Sequence, residues 1–127
     1  MFPQRIKRVE EQVARELAGI LDREIKDPRV GMVTVSHVHV TRDLRQADVY
    51  VSRLGNDPQT DLECLKALNG ASGFIRRLLG QRIELKFLPD LRFRLDTSPR
   101  EAMALEQIFR KIHEEAKQEH TDSPDEE

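Results

Sequence analysis

Several side chains in this sequence have the types and spacing that chemistry uses. His37 and His39 stand two apart in VGMVTVSHVHV and would share one face of a strand, and two imidazoles can begin a metal site. Such a site needs a third protein ligand, and none follows at ligand spacing. We therefore read both histidines as solvent-facing and expect no metal. Cys64 is the single cysteine, which allows no internal disulfide and suits a reducing compartment. It falls within a helical pattern beside Lys66 with no base partner in reach of sequence reasoning, so its thiol reads as inert. Asp90, Asp96 and Ser98 are accounted for by turn and capping chemistry. Nothing here builds a catalytic constellation or a cofactor site, and we expect no enzyme.

A different chemistry is offered by LNGASGFIRRLLGQRI, residues 68–83. Its apolar residues recur at helical spacing, yet Gly70 and Gly73 interrupt it, each at about 1 kcal/mol relative to alanine. At about 100° per residue, Phe74, Ile75, Leu78 and Leu79 gather on one face, which we assign to the core. Gly73 and Gly80 fall opposite, flanked by Arg76 and Arg77. The arrangement reads as two helices meeting at an angle, with Ser72 as N-cap of the second. Backbone N–H groups of a helix start, exposed through a residue without a side chain and flanked by guanidinium groups, can hold a phosphate.

The elements that must position this stretch follow from periodicity. Ile6, Val9, Val13, Leu17, Ile20 and Leu21 form one stripe of a helix over residues 5–25, ended by Lys26-Asp27-Pro28. Arg5, Lys7 and Arg8 oppose the dipole at its start, as an arm that an external anion could offset. Residues 30–40 read as a strand whose alternation changes phase, which predicts a bulge near Ser36–His37. A second strand follows, with Ala47, Val49 and Val51 on one face, closing an antiparallel hairpin. Asp57-Pro58 starts a helix that runs into the 68–83 stretch, and Gly80 is the expected C-terminal cap. In RIELKFLPDLRFRLD, Ile83, Leu85, Phe87, Leu91, Phe93 and Leu95 share odd parity. We expect one long strand bent at Pro89, with Lys86, Arg92 and Arg94 on its polar face. Ser98-Pro99-Arg100-Glu101 is a capping box opening a last helix with Leu105, Ile108, Phe109, Ile112 and Ala116 in its stripe. The order α-β-β-α-α-β-α predicts an α+β domain, a three-stranded mixed sheet with helices on one face. We place the domain at residues 1–116 and a disordered acidic tail at 117–127.

With 127 residues, 38% hydrophobic and 35% charged, the composition is that of a soluble domain able to bury a core. No apolar run approaches the roughly 20 residues of a membrane helix, and MFPQRIKRVEEQ lacks the apolar stretch of a secretion signal. A cytoplasmic protein is expected. The net charge of −2 conceals an asymmetry: residues 1–100 hold 18 Lys+Arg against 14 Asp+Glu, and residues 101–127 hold 3 against 9. A basic body with an acidic end suits a polyanionic partner.

Gly70-Ala71-Ser72-Gly73 between two short helices, after a hairpin and before a third strand, resembles the GxxG loop of a KH domain, which clamps single-stranded backbone. The helix-first order is that of the type II arrangement. Together with PQRIKRVEEQVARELAGIL, KDPRVGMVTVSHVHVTRDLRQADVYV and LPDLRFRLDTS, the chain resembles the ribosome-binding factor A family over roughly residues 3–116. In that family an Ala-x-Gly kink, here Ala71-Ser72-Gly73, replaces the loop. Gly70 restores a literal GxxG, so kink and loop both stand as readings. The resemblance implies a monomeric, non-enzymatic assembly factor. It would bind the immature 30S subunit near the 5′-end helix and neck of 16S rRNA and support late precursor processing, including at low temperature. It also implies rRNA contacts at Arg5, Lys7, Arg8, Ala71, Ser72, Gly73, Arg76, Arg77, Arg82, Lys86, Arg92 and Arg94. The alternatives are a generic KH-like single-stranded RNA binder and a module docking an acidic protein. The first lacks an evident aromatic platform, since most of the five Phe and one Tyr fall on core parity.

Overall fold

The structure, a computed structural model, describes residues 3–55 and 57–122. It divides into two units, Met1–Asp96 and Thr97–Glu127. The first holds α1 (Pro3–Arg23), β1 (Val33–Val40), β2 (Gln46–Arg53), α2 (Pro58–Gly70), α3 (Ser72–Gly80) and β3 (Asp90–Leu95). The second holds α4 (Ser98–Asp122).

The strands lie in the order β1-β2-β3, with β1 antiparallel and β3 parallel to β2. This is the type II KH arrangement in an α+β fold, as expected. Val38, Val40, Ala47, Val49, Val51, Leu91 and Phe93 point to one face and are buried under α1, α2 and α3. From the helices Val13, Leu17, Ile20, Leu68, Ile75 and Leu79 meet them, each fully buried and each stabilising by about 1.5–3 kcal/mol. The phase change in β1 is a bulge: Val35 pairs with Val51 and His37 with Tyr50, leaving Ser36 as the extra residue. The bulge returns Val38 and Val40 to the core and turns His37 and His39 to the other face.

Local chemistry sets the helix starts. The Asp57 carboxylate accepts from Gln59 N–H at 3.1 Å and from the Thr60 hydroxyl at 2.7 Å, with Pro58 next to it. These bonds, Thr60 first, hold its pKa below the ordinary value. α4 is capped one residue earlier than the sequence suggests. Glu101 N–H bonds the Thr97 carbonyl at 3.0 Å, and the Thr97 hydroxyl donates to the Glu101 carboxylate. Because threonine and serine both serve as caps, the pattern does not choose between Thr97 and Ser98. α4 also continues past residue 117, the expected start of the tail, through Gln118 and Glu119, residue types that favour helix. Residues 123–127 of that tail lie outside the described part.

The long strand expected across Pro89 is not formed. β3 begins only at Asp90, whose N–H bonds the Arg45 carbonyl at 2.8 Å. Residues 81–83 are instead drawn into the turn that ends α3, through bonds to the carbonyls of Leu78 and Leu79. The shared parity therefore breaks down: Ile83 is buried, Leu85 is half-buried and Phe87 is 72% exposed. Gly80 is not a left-handed cap either. It lies inside α3 with Gln81 following in right-handed helical geometry, and a Cβ there would come within 2.6 Å of Leu88 Cδ1.

Candidate nucleic-acid interface

The bend between α2 and α3 is made by one residue. Ala71, at φ −96° and ψ 6°, donates its N–H to the carbonyls of Ala67 and Leu68, both at 3.1 Å. Its own carbonyl accepts from Ile75 N–H at 2.9 Å. Ala71 thus closes one helix and opens the next. The N-cap expected at Ser72 is corrected to Ala71, which caps with no side-chain bond. With helix on both sides of a single residue, the 70–73 segment is a kink and not a loop. Neither Gly70 nor Gly73 has a positive φ, and a Cβ on either would meet no atom within 4 Å beyond its chain neighbours and the backbone of its own helix. Their absence of side chains relieves no crowding inside the fold. It leaves bare backbone facing outward.

Two polar clamps hold the kink from behind. On the α2 side, the Asn69 carboxamide accepts from Phe93 N–H at 2.8 Å and donates to the Phe93 carbonyl at 3.1 Å. It thereby occupies part of the outer edge of β3. On the α3 side, Arg76 Nη2 donates to the Leu88 carbonyl at 2.8 Å and Nε to the Pro89 carbonyl at 3.2 Å. The Asp90 carboxylate lies 3.5 Å from the same guanidinium. At the far end of α2, Arg53 and Asp61 form an ion pair at 2.9 Å, both nearly buried. Cys64 sits close by and is buried, its thiol pushed up by desolvation and its Sγ 3.5 Å from the Val30 carbonyl.

The residues expected to meet RNA fall into distinct settings. Arg77 is exposed and has no partner among the described residues, and the same holds for Arg5, Lys7 and Arg8 on α1 and for Arg92 on β3. Arg82 faces Glu16 of α1 at 3.9 Å and Glu24, the residue after its end, at 3.8 Å. Arg94 stands 3.4 Å from Asp48 on the face of the sheet away from the core. Arg5, Arg76 and Lys86 are brought together around one groove, whereas Arg92 and Arg94 border another with Tyr50 and Asn69. Ser72 is half-buried beside exposed Gly73. His37 stacks on Tyr50 with ring centroids 4.4 Å apart, and His39 Nδ1 lies 3.7 Å from the Glu10 carboxylate. No group of three or more His, Cys, Asp or Glu among the described residues is arranged to hold a metal.

Aromatic groups are the main omission of sequence reasoning. Phe74, assigned to the core, is 46% exposed next to Gly73, and Phe87 is more exposed still. Wheel position alone places Phe74 at the margin of the apolar face, a signal too coarse to show which side of that margin meets solvent.

The profile of the ribosome-binding factor A family matches residues 5–109. A ribosome-binding factor A from Alkalilimnicola ehrlichii is 42% identical over 121 residues, spanning 95% of this chain and 92% of that one. The chain belongs to the ribosome-binding factor A family. The crystal structure of ribosome-binding factor A from Thermus thermophilus superimposes with a TM-score of 0.64 at 28% identity, covering 71% of this chain and 93% of that one. A homology model of the Thermus thermophilus factor, fitted into a cryo-EM map of its complex with 30S, gives 0.60 at 28% identity over the same shares. The single-residue bend at Ala71 and the parallel β2–β3 pairing are the features of this family member that organise its surface. No described helix is long and apolar enough to cross a membrane.

Proposed function

We infer that this chain is a non-enzymatic assembly factor of the small ribosomal subunit, acting in the cytoplasm. It binds the free or immature 30S particle through 16S rRNA around the 5′-end helix and neck. There it supports late maturation of precursor 16S rRNA, with its greatest importance at low temperature. Family membership and the 30S complex of the Thermus thermophilus factor support the class of partner. The observation that carries the reading is the kink itself. Gly70 and Gly73 present open backbone beside exposed Arg77, a surface with no internal use that suits a phosphate backbone in close approach. Recognition of this kind is by charge and shape, so binding should weaken steeply with salt.

The test is sedimentation of the protein in a cell lysate at moderate salt, followed by titration of purified subunits. Comigration with free 30S and loss of binding as salt rises are expected. Comigration with 70S ribosomes or polysomes would overturn the assembly role. Depletion at low temperature should accumulate precursor 16S rRNA, and normal processing there would count against the maturation step.

A further inference from the structure

A groove lies at the end of the sheet where the hairpin turn, the start of α1 and the segment before β3 converge. It consists of two adjoining cavities of about 720 and 230 Å3 that share Leu44, Lys86 and Phe87 among their walls. Three independent features mark it. Phe87 presents its ring to solvent at 72% exposure although the segment is tethered on either side. Leu44 holds φ at 61°, the one non-glycine positive φ among the described residues. Bulky side chains avoid that region, and strain of this kind collects at binding sites. It is enforced here by Leu44 N–H on the Thr41 carbonyl at 2.8 Å, and by Asp43 accepting from the Thr41 hydroxyl and from Arg45 N–H. Lastly, the groove carries surplus positive charge. Its carboxylates, Asp43 and Asp90, already face Arg45 at 4.0 Å and Arg76 at 3.5 Å. Arg5 and Lys86 are left over.

The geometry points to a binding site for an unpaired nucleobase of RNA, stacked on Phe87 and walled by Leu44, with Arg5 and Lys86 meeting the flanking phosphates. An acidic protein segment would use the charge but has no need of an exposed flat ring. A duplex would offer phosphates but no base to stack. The Lys86 ammonium, 5.7 Å from the Phe87 centroid, already lies within the distance of a cation–π contact and can swing to a phosphate when a base covers the ring. The site deepens the rRNA-binding reading above and rests on it: it assigns to that interface a single-stranded, base-dependent component that the kink does not supply.

The experiment compares an unstructured RNA oligonucleotide with an abasic ribose-phosphate strand of equal length, at one moderate salt concentration. Wild type, Phe87→Ala, Phe87→Leu and Phe87→Trp are each titrated with both strands. Because Phe87 is exposed, all four should share one urea midpoint. Wild type should prefer the base-containing strand. Phe87→Ala should lose about tenfold on it, within the range of base–aromatic stacking, and nothing on the abasic strand. Phe87→Trp should keep the preference and Phe87→Leu should not. Equal wild-type affinity for the two strands, or a Phe87→Leu variant as tight as wild type, overturns the base site. Wild-type binding to 30S particles is measured alongside. If it persists while the strand preference is absent, the base site alone fails; if 30S binding is absent, the assembly-factor reading fails.

Discussion

Arg76 and Arg77 are adjacent in sequence, carry the same charge and flank the same glycine line, yet they belong to different regions of the molecule. Arg76 turns back to bond the Leu88 and Pro89 carbonyls. Arg77 is exposed and has no described partner. The same division runs through the whole bend. Behind it, Asn69 and Arg76 fix two helices to the polypeptide of β3 and its approach. In front of it, Gly70, Gly73 and Arg77 make no contact that the fold requires. A kink of one residue stays in place only if its back is clamped, and it is useful to a ligand only if its front is bare. On the reading proposed above, stability and recognition lie on opposite sides of one turn of chain.

The largest effects should come from breaking the back. Asn69→Ala strips the partner from both polar groups of buried Phe93 and should destabilise by about 1–3 kcal/mol, read as a lower urea midpoint with unchanged slope. Arg76→Ala should fall in the same range or below it, since its side chain is 40% exposed. Lysine should not restore it, because one ammonium cannot reproduce a fork that reaches two successive carbonyls. An Arg76→Lys variant as stable as wild type would show that charge near Asp90, and not the carbonyl clamp, is what matters. Any loss of RNA binding in these variants should follow their loss of folded structure.

Breaking the front should do the reverse. Arg77→Ala should leave the unfolding midpoint in place and weaken 30S binding, lowering the slope of log affinity against log salt by about 0.7–0.9, one phosphate's share. An unchanged slope would remove Arg77 from the interface. Substituting both arginines at once would mix a clamp with a contact, so the single variants carry the comparison.

The sequence announces the scaffold well and this division poorly. The hairpin, the bulge at Ser36 and the Asp57 cap are legible because each leaves a local signature: β-branched alternation, a phase change and an aspartate before proline. The clamps leave none. Asn69 looks like any polar residue late in a helix, and its partner is 24 residues away. On a helical wheel Arg76 and Arg77 are equivalent flanks, and only the path of residues 84–89 decides which one is recaptured. Periodicity misreads that path as well. Odd parity extends through Phe87, but Pro89 offers no N–H to a ladder and the Arg76 bonds hold the segment off the sheet edge. Phe87 therefore never enters the core that its parity predicts. Sequence periodicity reports what a segment would do in a regular element. It is silent when a distant side chain prevents that element from forming.

A smaller change sharpens the comparison at Gly73. The residue is helical, its φ is not positive and its Cβ direction is empty. Gly73→Ala should therefore stabilise the protein, by up to about 1 kcal/mol, while a methyl group on the bare front weakens 30S binding. Stability and affinity moving in opposite directions would separate a recognition glycine from a structural one. A stabilised variant with full affinity would mean that rRNA does not approach the backbone there.

The smallest expected effect concerns an arginine that already has its anion. Arg29 donates Nη2 to Asp27 at 2.7 Å, and its Nε and backbone N–H bond the same carboxylate. These bonds, the side-chain ones first, bring the Asp27 pKa from 3.8 down to about 2. Because the folded pKa is depressed, the contribution to stability is complete above the unfolded value. It is lost as pH falls through about 2. The pair is exposed, so salt should screen it and raise the Asp27 midpoint in an NMR titration. Arg29→Ala should raise it further, and a midpoint unmoved by that substitution would assign the shift to the surrounding backbone instead. Salt thus acts on both arginines by one mechanism but at different places. At Arg29 it loosens a pair within the chain, with little consequence for folding. At Arg77 no such pair has formed, so the same screening appears only when an external polyanion is present, as lost affinity.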